Sequence, residues 1–135
     1  MLIGGLGMGF TLRAALDLTG SGAQATVCEL IPAVADWNRG ILAPLADHPL
    51  SDPRVDLRVM DVMDLLNDSE AGFDVILMDT DNGSHLPVRG DNQRLYERNG
   101  LNAVRDALRS VGVATFGSAE ISEPFEDRLS ELDWA

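Results

Sequence analysis

At 135 residues the chain is long enough for one domain that buries roughly two thirds of its unfolded surface, and too short for two. Its apolar fraction of 45% and charged fraction of 24% are those of a globular protein, and no apolar run approaches the ~20 residues that a membrane span requires. A net charge of -12, from 22 acidic residues against ten scattered arginines and no lysine, excludes nucleic acid as an expected partner and leaves cation attraction or plain solubility as its uses.

Met1 leads straight into strand-like residues with no basic segment before an apolar stretch, so no signal peptide is expected and the expected compartment is the cytoplasm. Five short runs rich in branched residues follow: MLIGG at 1–5, ATVCEL at 25–30, VDLRVM at 55–60, FDVILMD at 73–79 and VGVATFG at 111–117. They alternate with segments of helical spacing. That alternation predicts an α/β fold, a doubly wound parallel sheet of Rossmann-like type with about five strands flanked by helices, as a single domain over 1–135. The first helix is read with Phe10, Ala14 and Leu18 on its apolar face, the second with Val34, Trp37, Ile41 and Leu45. Pro32 suits the first turn of the second, where no amide donor is needed. A later helix is expected from Asn99 as its cap through Leu101, Val104 and Leu108 to Gly112. The tail gives another, opened by Pro124, with Phe125, Leu129 and Leu132 along one face. Between them lies the longest irregular stretch, TDNGSHLPVRGDNQR at 80–94, of a length that compact domains reserve for function or disorder. Cys28, alone and inside an apolar run, reads as a small buried hydrophobe. His48 and His85 have no second ligand at metal spacing, so no metal is expected.

Four places carry chemistry. After the first strand the glycines read Gly5-x-Gly7-x-Gly9, which departs from the nicotinamide pattern because the third glycine position falls on Phe10. Gly-x-Gly-x-Gly between a strand and a helix is the usual first motif of S-adenosylmethionine-dependent enzymes, whose ligand lies against the bare turn at the strand's carboxyl end. A tight strand-to-helix crossing also selects glycine. Glu29 ends the second run, where a carboxylate accepts hydrogen bonds from both hydroxyls of a ribose, and Leu30 follows it. Asp61 ends the third run and is placed to accept from the exocyclic amine of adenine, with Val62 or Met63 packed on the ring; Asp61 with Asp64 reads equally as the cap of the next helix. Asp79 is forced out at the carboxyl edge by the fourth run, with Asp81 two residues on. Carboxylates there hold an amine, take its proton and balance a sulfonium charge, while Asp, Asn and Gly are also the residues of a simple turn. Glu29 and Asp79 are both expected at the open edge, reached by ligand and only partly desolvated. No nucleophile elbow occurs.

Together, IGGLGMGFTLRAAL, CELIPAV, DPRVDLRVMDVMDLL and FDVILMDTDN resemble the spermidine synthase family within the class I methyltransferase superfamily, over residues 2 to about 118, with the Leu95-Tyr96 pair adding to the likeness. The resemblance implies a class I methyltransferase type of sheet with S-adenosylmethionine or its decarboxylated form as co-substrate and no metal. It implies cofactor binding by Gly5, Gly7, Gly9, Glu29, Leu30, Asp61 and Val62: the glycines at the methionine-derived part, Glu29 at the ribose, Asp61 at the adenine. Asp79 and Asp81 are the implied catalytic acids, Asp79 activating a small-molecule amine acceptor. The chain departs from the family in having DTDNG where a DSSDP type of stretch stands, and in lacking an amino-terminal β-rich segment and the last carboxyl-terminal strands. Those departures keep a methyltransferase and a shortened non-catalytic nucleotide-binding or assembly protein open beside an aminopropyltransferase. An open sheet edge also invites pairing with a second copy, so a homodimer is expected.

Overall fold

The computed structural model describes residues 1–68, 72–80, 93–117 and 123–132. All five branched runs form strands: β1 Leu2–Gly4, β2 Ala25–Glu29, β3 Val55–Val59, β4 Phe73–Met78 and β5 Leu108–Phe116. They pair in the order β3-β2-β1-β4-β5, every pair parallel. The chain steps outward from β1 to β3 and then returns to the far side of β1 for β4. The carboxyl ends of β1 and β4 are therefore the switch point, the crevice where sheets of this kind bind ligands.

Helices α1 Phe10–Leu18, α2 Pro32–Arg39, α3 Val62–Asp68, α4 Gln93–Tyr96, α5 Arg98–Ala107 and α6 Glu123–Glu131 flank the sheet. Side chains alternate along each strand and so divide the core in two. Ile3 and Val27 face Leu12 and Leu16 of α1, whereas Leu2, Cys28 and Ile76 face Leu65 of α3 and Val104 of α5. Phe125 of α6 closes the second layer, its ring 5.4 Å from Tyr96 and 5.3 Å from Phe116. Among the described residues no helix is long and apolar enough to cross a membrane. Cys28 is buried, and that burial pushes its thiol up to about 11, as suits an inert core residue.

Both early helices turn a different face inward from the one their spacing suggests. On α1, Leu12 and Leu16 are buried, while Phe10 and Leu18 are exposed. α2 ends at Arg39, short of the Ile41 and Leu45 assigned to it; on it Ala35 and Asn38 are buried and Trp37 is exposed, and Ile41 and Leu45 stand in solvent beyond its end. The α1 segment carries two apolar series, between which spacing does not choose; on α2 the apolar Trp37 is turned outward and Ala35 and Asn38 lie inward in its place. The helix expected from Asn99 also shifts. α5 starts at Arg98 with Glu97 at the cap position, so Asn99 is inside it, and Leu108 already belongs to β5. β5 is longer than its apolar run because it bulges: from Phe73↔Leu108 to Val75↔Val113 the register advances five residues on β5 against two on β4. The tail helix is as expected, with Leu132 buried just past its end.

The amino-terminal edge of the sheet is fastened by Arg54. Its guanidinium takes Asp52 bidentately, at 3.0 and 2.8 Å, and its Nη1 donates to the carbonyls of Leu16 and Thr19 at 3.0 Å and of Gly20 at 3.3 Å. Leu16 lies in the last turn of α1 and Thr19 and Gly20 just past its end, where carbonyls lack helical partners. The Arg54 side chain, with its backbone amide, holds the Asp52 carboxyl down from 3.8 to about 2. A carboxyl lowered in the folded state stabilises the fold above its ordinary range and loses that contribution as it is protonated. The stability of the parent protein is thus expected to fall as pH drops from 3.8 toward about 2, and Asp52→Asn to flatten that part of the profile. Melting temperature against pH for the two proteins checks it, and coincident slopes in that window refute it.

Candidate active site

The turn after β1 is built on three left-handed glycines, Gly5 at φ +97, Gly7 at φ +52 and Gly9 at φ +83. Gly5 is also required by space. A Cβ there would lie 2.3 Å from the carbonyl oxygen of Asp79, a backbone atom that cannot step aside. Its amide donates to the Cys28 carbonyl at 2.8 Å, and the Asp79 amide donates to the Gly4 carbonyl at 2.8 Å. The glycine turn, the end of β2 and Asp79 are thereby locked together at the switch point. Gly7 differs, since a Cβ there would meet nothing within 4 Å, which leaves the middle of the turn open.

Glu29 stands behind the turn. Its Oε2 accepts the Leu6 amide at 3.0 Å and its Oε1 the Ile31 amide at 2.9 Å. At 7% exposure it is a buried carboxylate, which corrects the expectation that it is only partly desolvated at the open edge. The two amides account for this: they offset the cost of taking the charge out of water. Ionised, each oxygen keeps a further lone pair for a ligand hydroxyl. Leu30 is exposed beside it.

Asp61 is the helix cap that one of its two readings expects. Its Oδ1 accepts the Met63 amide at 2.9 Å as the cap of α3, and its Oδ2 pairs with Arg94 at 3.0 Å. Val62 lies in the core rather than at the edge, 7% exposed, while Met63 is half-buried. Asp79 is exposed, and its Oδ2 accepts the Thr11 hydroxyl from the first turn of α1. Next to it the Thr80 hydroxyl lies 3.0 Å from that of Tyr96, which is buried.

The structure therefore brings Gly5, Gly7, Gly9, Glu29 and Asp79 to one crevice at the carboxyl edge. Asp81 and His85 lie outside the described residues, as does most of the irregular stretch 80–94, whose last two residues open α4. His48 is exposed in a left-handed turn at φ +53, and among the described residues no cluster of His, Cys, Asp and Glu could hold a metal. Thr11, Arg94 and Tyr96 are contributors that motif spacing did not single out. A hydroxyl two residues after a glycine turn was the available signal for Thr11, since it opens a helix that faces the sheet's carboxyl edge.

The family described as spermine/spermidine synthase domain matches residues 1–127. Among solved structures, a spermidine synthase in complex with the transition-state analogue AdoDATO matches at TM-score 0.73 and 29% identity, over 84% of this chain and 36% of that one. Spermidine synthase from Thermotoga maritima matches at TM-score 0.73 and 28% identity, over 97% of this chain and 44% of that one. Human methyltransferase-like protein 13 in complex with SAH, at TM-score 0.70 and 20% identity over 96% of this chain and 59% of that one, shares the fold. The chain thus spans less than half the length of the two spermidine synthases, and no curated protein matches it.

The two acids are expected to separate on substitution. Glu29→Gln leaves one of two buried amides facing an NH2 group, so it costs about 1–3 kcal/mol of stability. Asp79→Asn, exposed and held by one hydroxyl, stays within about 0.5 kcal/mol of the parent. Denaturant unfolding of both variants measures the difference, and equal losses contradict it.

Proposed function

The chain belongs to the spermine/spermidine synthase domain family, and on that premise we propose that its crevice binds the decarboxylated form of S-adenosylmethionine and carries out aminopropyl transfer to a small amine. The observation that carries this reading is the contact between Gly5 and the Asp79 backbone. It sets the turn that would receive the nucleoside directly against the acid that would receive the amine. In this reading the open side of Gly7 takes the methionine-derived part, the remaining lone pairs of Glu29 take the ribose hydroxyls, and Asp61 meets the adenine edge with Leu30 and the half-buried Met63 beside it, Val62 being turned into the core.

The acceptor's nitrogen attacks the aminopropyl carbon bonded to sulfur, the carbon–sulfur bond breaks, and its electron pair returns the sulfonium to a neutral thioether, methylthioadenosine. The attacking nitrogen must shed one proton. Asp79 is assigned that proton, because it stands at the edge with one oxygen held by Thr11 and the other free of that bond. Asp81 is assigned the second contact to the cationic amine. The net charge of -12 favours the approach of such a cation. Intact S-adenosylmethionine carries a carboxylate that Asp79 repels, so the same placement disfavours methyl transfer.

Calorimetry with decarboxylated S-adenosylmethionine, intact S-adenosylmethionine and methylthioadenosine tests the site. The first and third are expected to bind, and tighter binding of the intact cofactor would turn the reading to methyl transfer. Turnover with a diamine is expected to fall by about a hundredfold or more in Asp79→Asn, the scale of a lost general base. Folded protein that binds none of the three ligands sinks the proposal.

A further inference from the structure

Asn38 is an unusual residue to find where it lies. It is 1% exposed in the last turn of α2, although Asn competes with the helical backbone and is far more often found exposed. Its Nδ2 donates to the Val34 carbonyl at 2.9 Å, within its own helix, and to the Gly7 carbonyl at 2.8 Å, in the glycine turn 31 residues earlier. Both acceptors are carbonyls, so the amide's orientation is fixed with its NH2 group toward them. Its Oδ1 is buried without a hydrogen-bond partner among the described residues. That oxygen lies on the Gly9 side, where a Cβ would come within 3.1 Å of it and 3.0 Å of Pro49 Cγ. A helix packing only for stability would carry an apolar side chain here, with no acceptor left unmatched.

The Gly7 carbonyl has a consequence for its neighbour. In a planar trans peptide the C=O of one residue and the N–H of the next point in opposite directions. Drawing the Gly7 carbonyl toward α2 therefore aims the Met8 N–H away from α2. The turn is open beside that peptide, since a Cβ on Gly7 would meet nothing within 4 Å.

We propose that Asn38 is a positioning residue for the nucleoside: it clamps the Gly7 carbonyl, and so presents the Met8 amide as a donor to the bound ligand. This rests on the nucleoside site proposed above. Asn38 touches no ligand itself, and its effect appears in affinity rather than in the chemical step.

Three variants of the full chain separate this role from helix packing. Asn38→Leu removes both donors. Asn38→Ser keeps a hydroxyl for the Val34 carbonyl but is too short for Gly7. Val34→Ala loosens the same helix and leaves the clamp. Both Asn38 variants are expected to weaken methylthioadenosine binding about tenfold, the scale of one hydrogen bond, and to raise KM for the nucleoside while kcat at saturation stays within about twofold. Val34→Ala is expected to lower the melting temperature and leave affinity unchanged. Hydrogen exchange of the amides at 5–10, measured without ligand, is expected to quicken in both Asn38 variants and not in Val34→Ala. Parental affinity in the Asn38 variants overturns the proposal, as does unchanged exchange. If the parent binds no methylthioadenosine, it is the nucleoside reading that falls, and the exchange measurement still decides whether Asn38 holds the turn.

Discussion

The structure depends on a carboxylate taken out of water. Glu29 gives up most of its hydration and receives in return the amides of Leu6 and Ile31, one from the glycine turn and one from the start of α2. A glycine-rich turn is entropically costly to order, because its residues have the widest freedom when unfolded. A charged acceptor makes the stronger kind of hydrogen bond, and placing it on the end of a central strand gives the turn a rigid reference. The three positive-φ glycines can then hold one shape with little side-chain packing of their own. Everything at the carboxyl edge follows from that shape, including how near Asp79 comes to Gly5.

The class of fold was legible because alternation survives local error. Strands of a parallel sheet covered by helices are short, branched and apolar, and the five runs satisfied that even though the inward faces of α1 and α2 were misread. The inward faces of α1 and α2 were not legible, for a physical reason. Phe10 and Leu18 are as apolar as Leu12 and Leu16, so periodicity offers two faces and does not choose. The choice is made by distant partners: on α2 the Gly7 carbonyl needs a donor, and Asn38 brings the small Ala35 inward with it while Trp37 is left in solvent. β5 was underestimated for a similar reason, since a bulge has no composition of its own.

At the site, the residues legible in sequence were those whose type is forced by backbone geometry or by an unmistakable position. Gly5 is forced by the Asp79 carbonyl, and Asp79 by the apolar run before it. Glu29 was located correctly, but its burial was hidden because the amides that stabilise it carry no side-chain signature. Asp61 was read two ways, as a cap and as an acceptor at the sheet's edge; the structure shows the cap, with the other oxygen held by Arg94. A capping carboxylate and an edge carboxylate are the same residue in the same place, so no spacing rule could have parted them.

α1 runs antiparallel to the strands and is fastened at both ends by unlike means. Its first turn emerges from the glycine turn and holds Asp79 through Thr11, whereas its last carbonyls are gathered by Arg54 at the opposite edge of the sheet. Mechanically it is a strut spanning the thickness of the domain, with Asp79 at one bearing and the Asp52–Arg54 clasp at the other. A strut pinned at one end pivots; pinned at both, it transmits load. The clasp lies at the far end of α1 from Asp79, yet it belongs to the stiffness of the crevice, because slack at Arg54 is slack in the helix that aims Thr11.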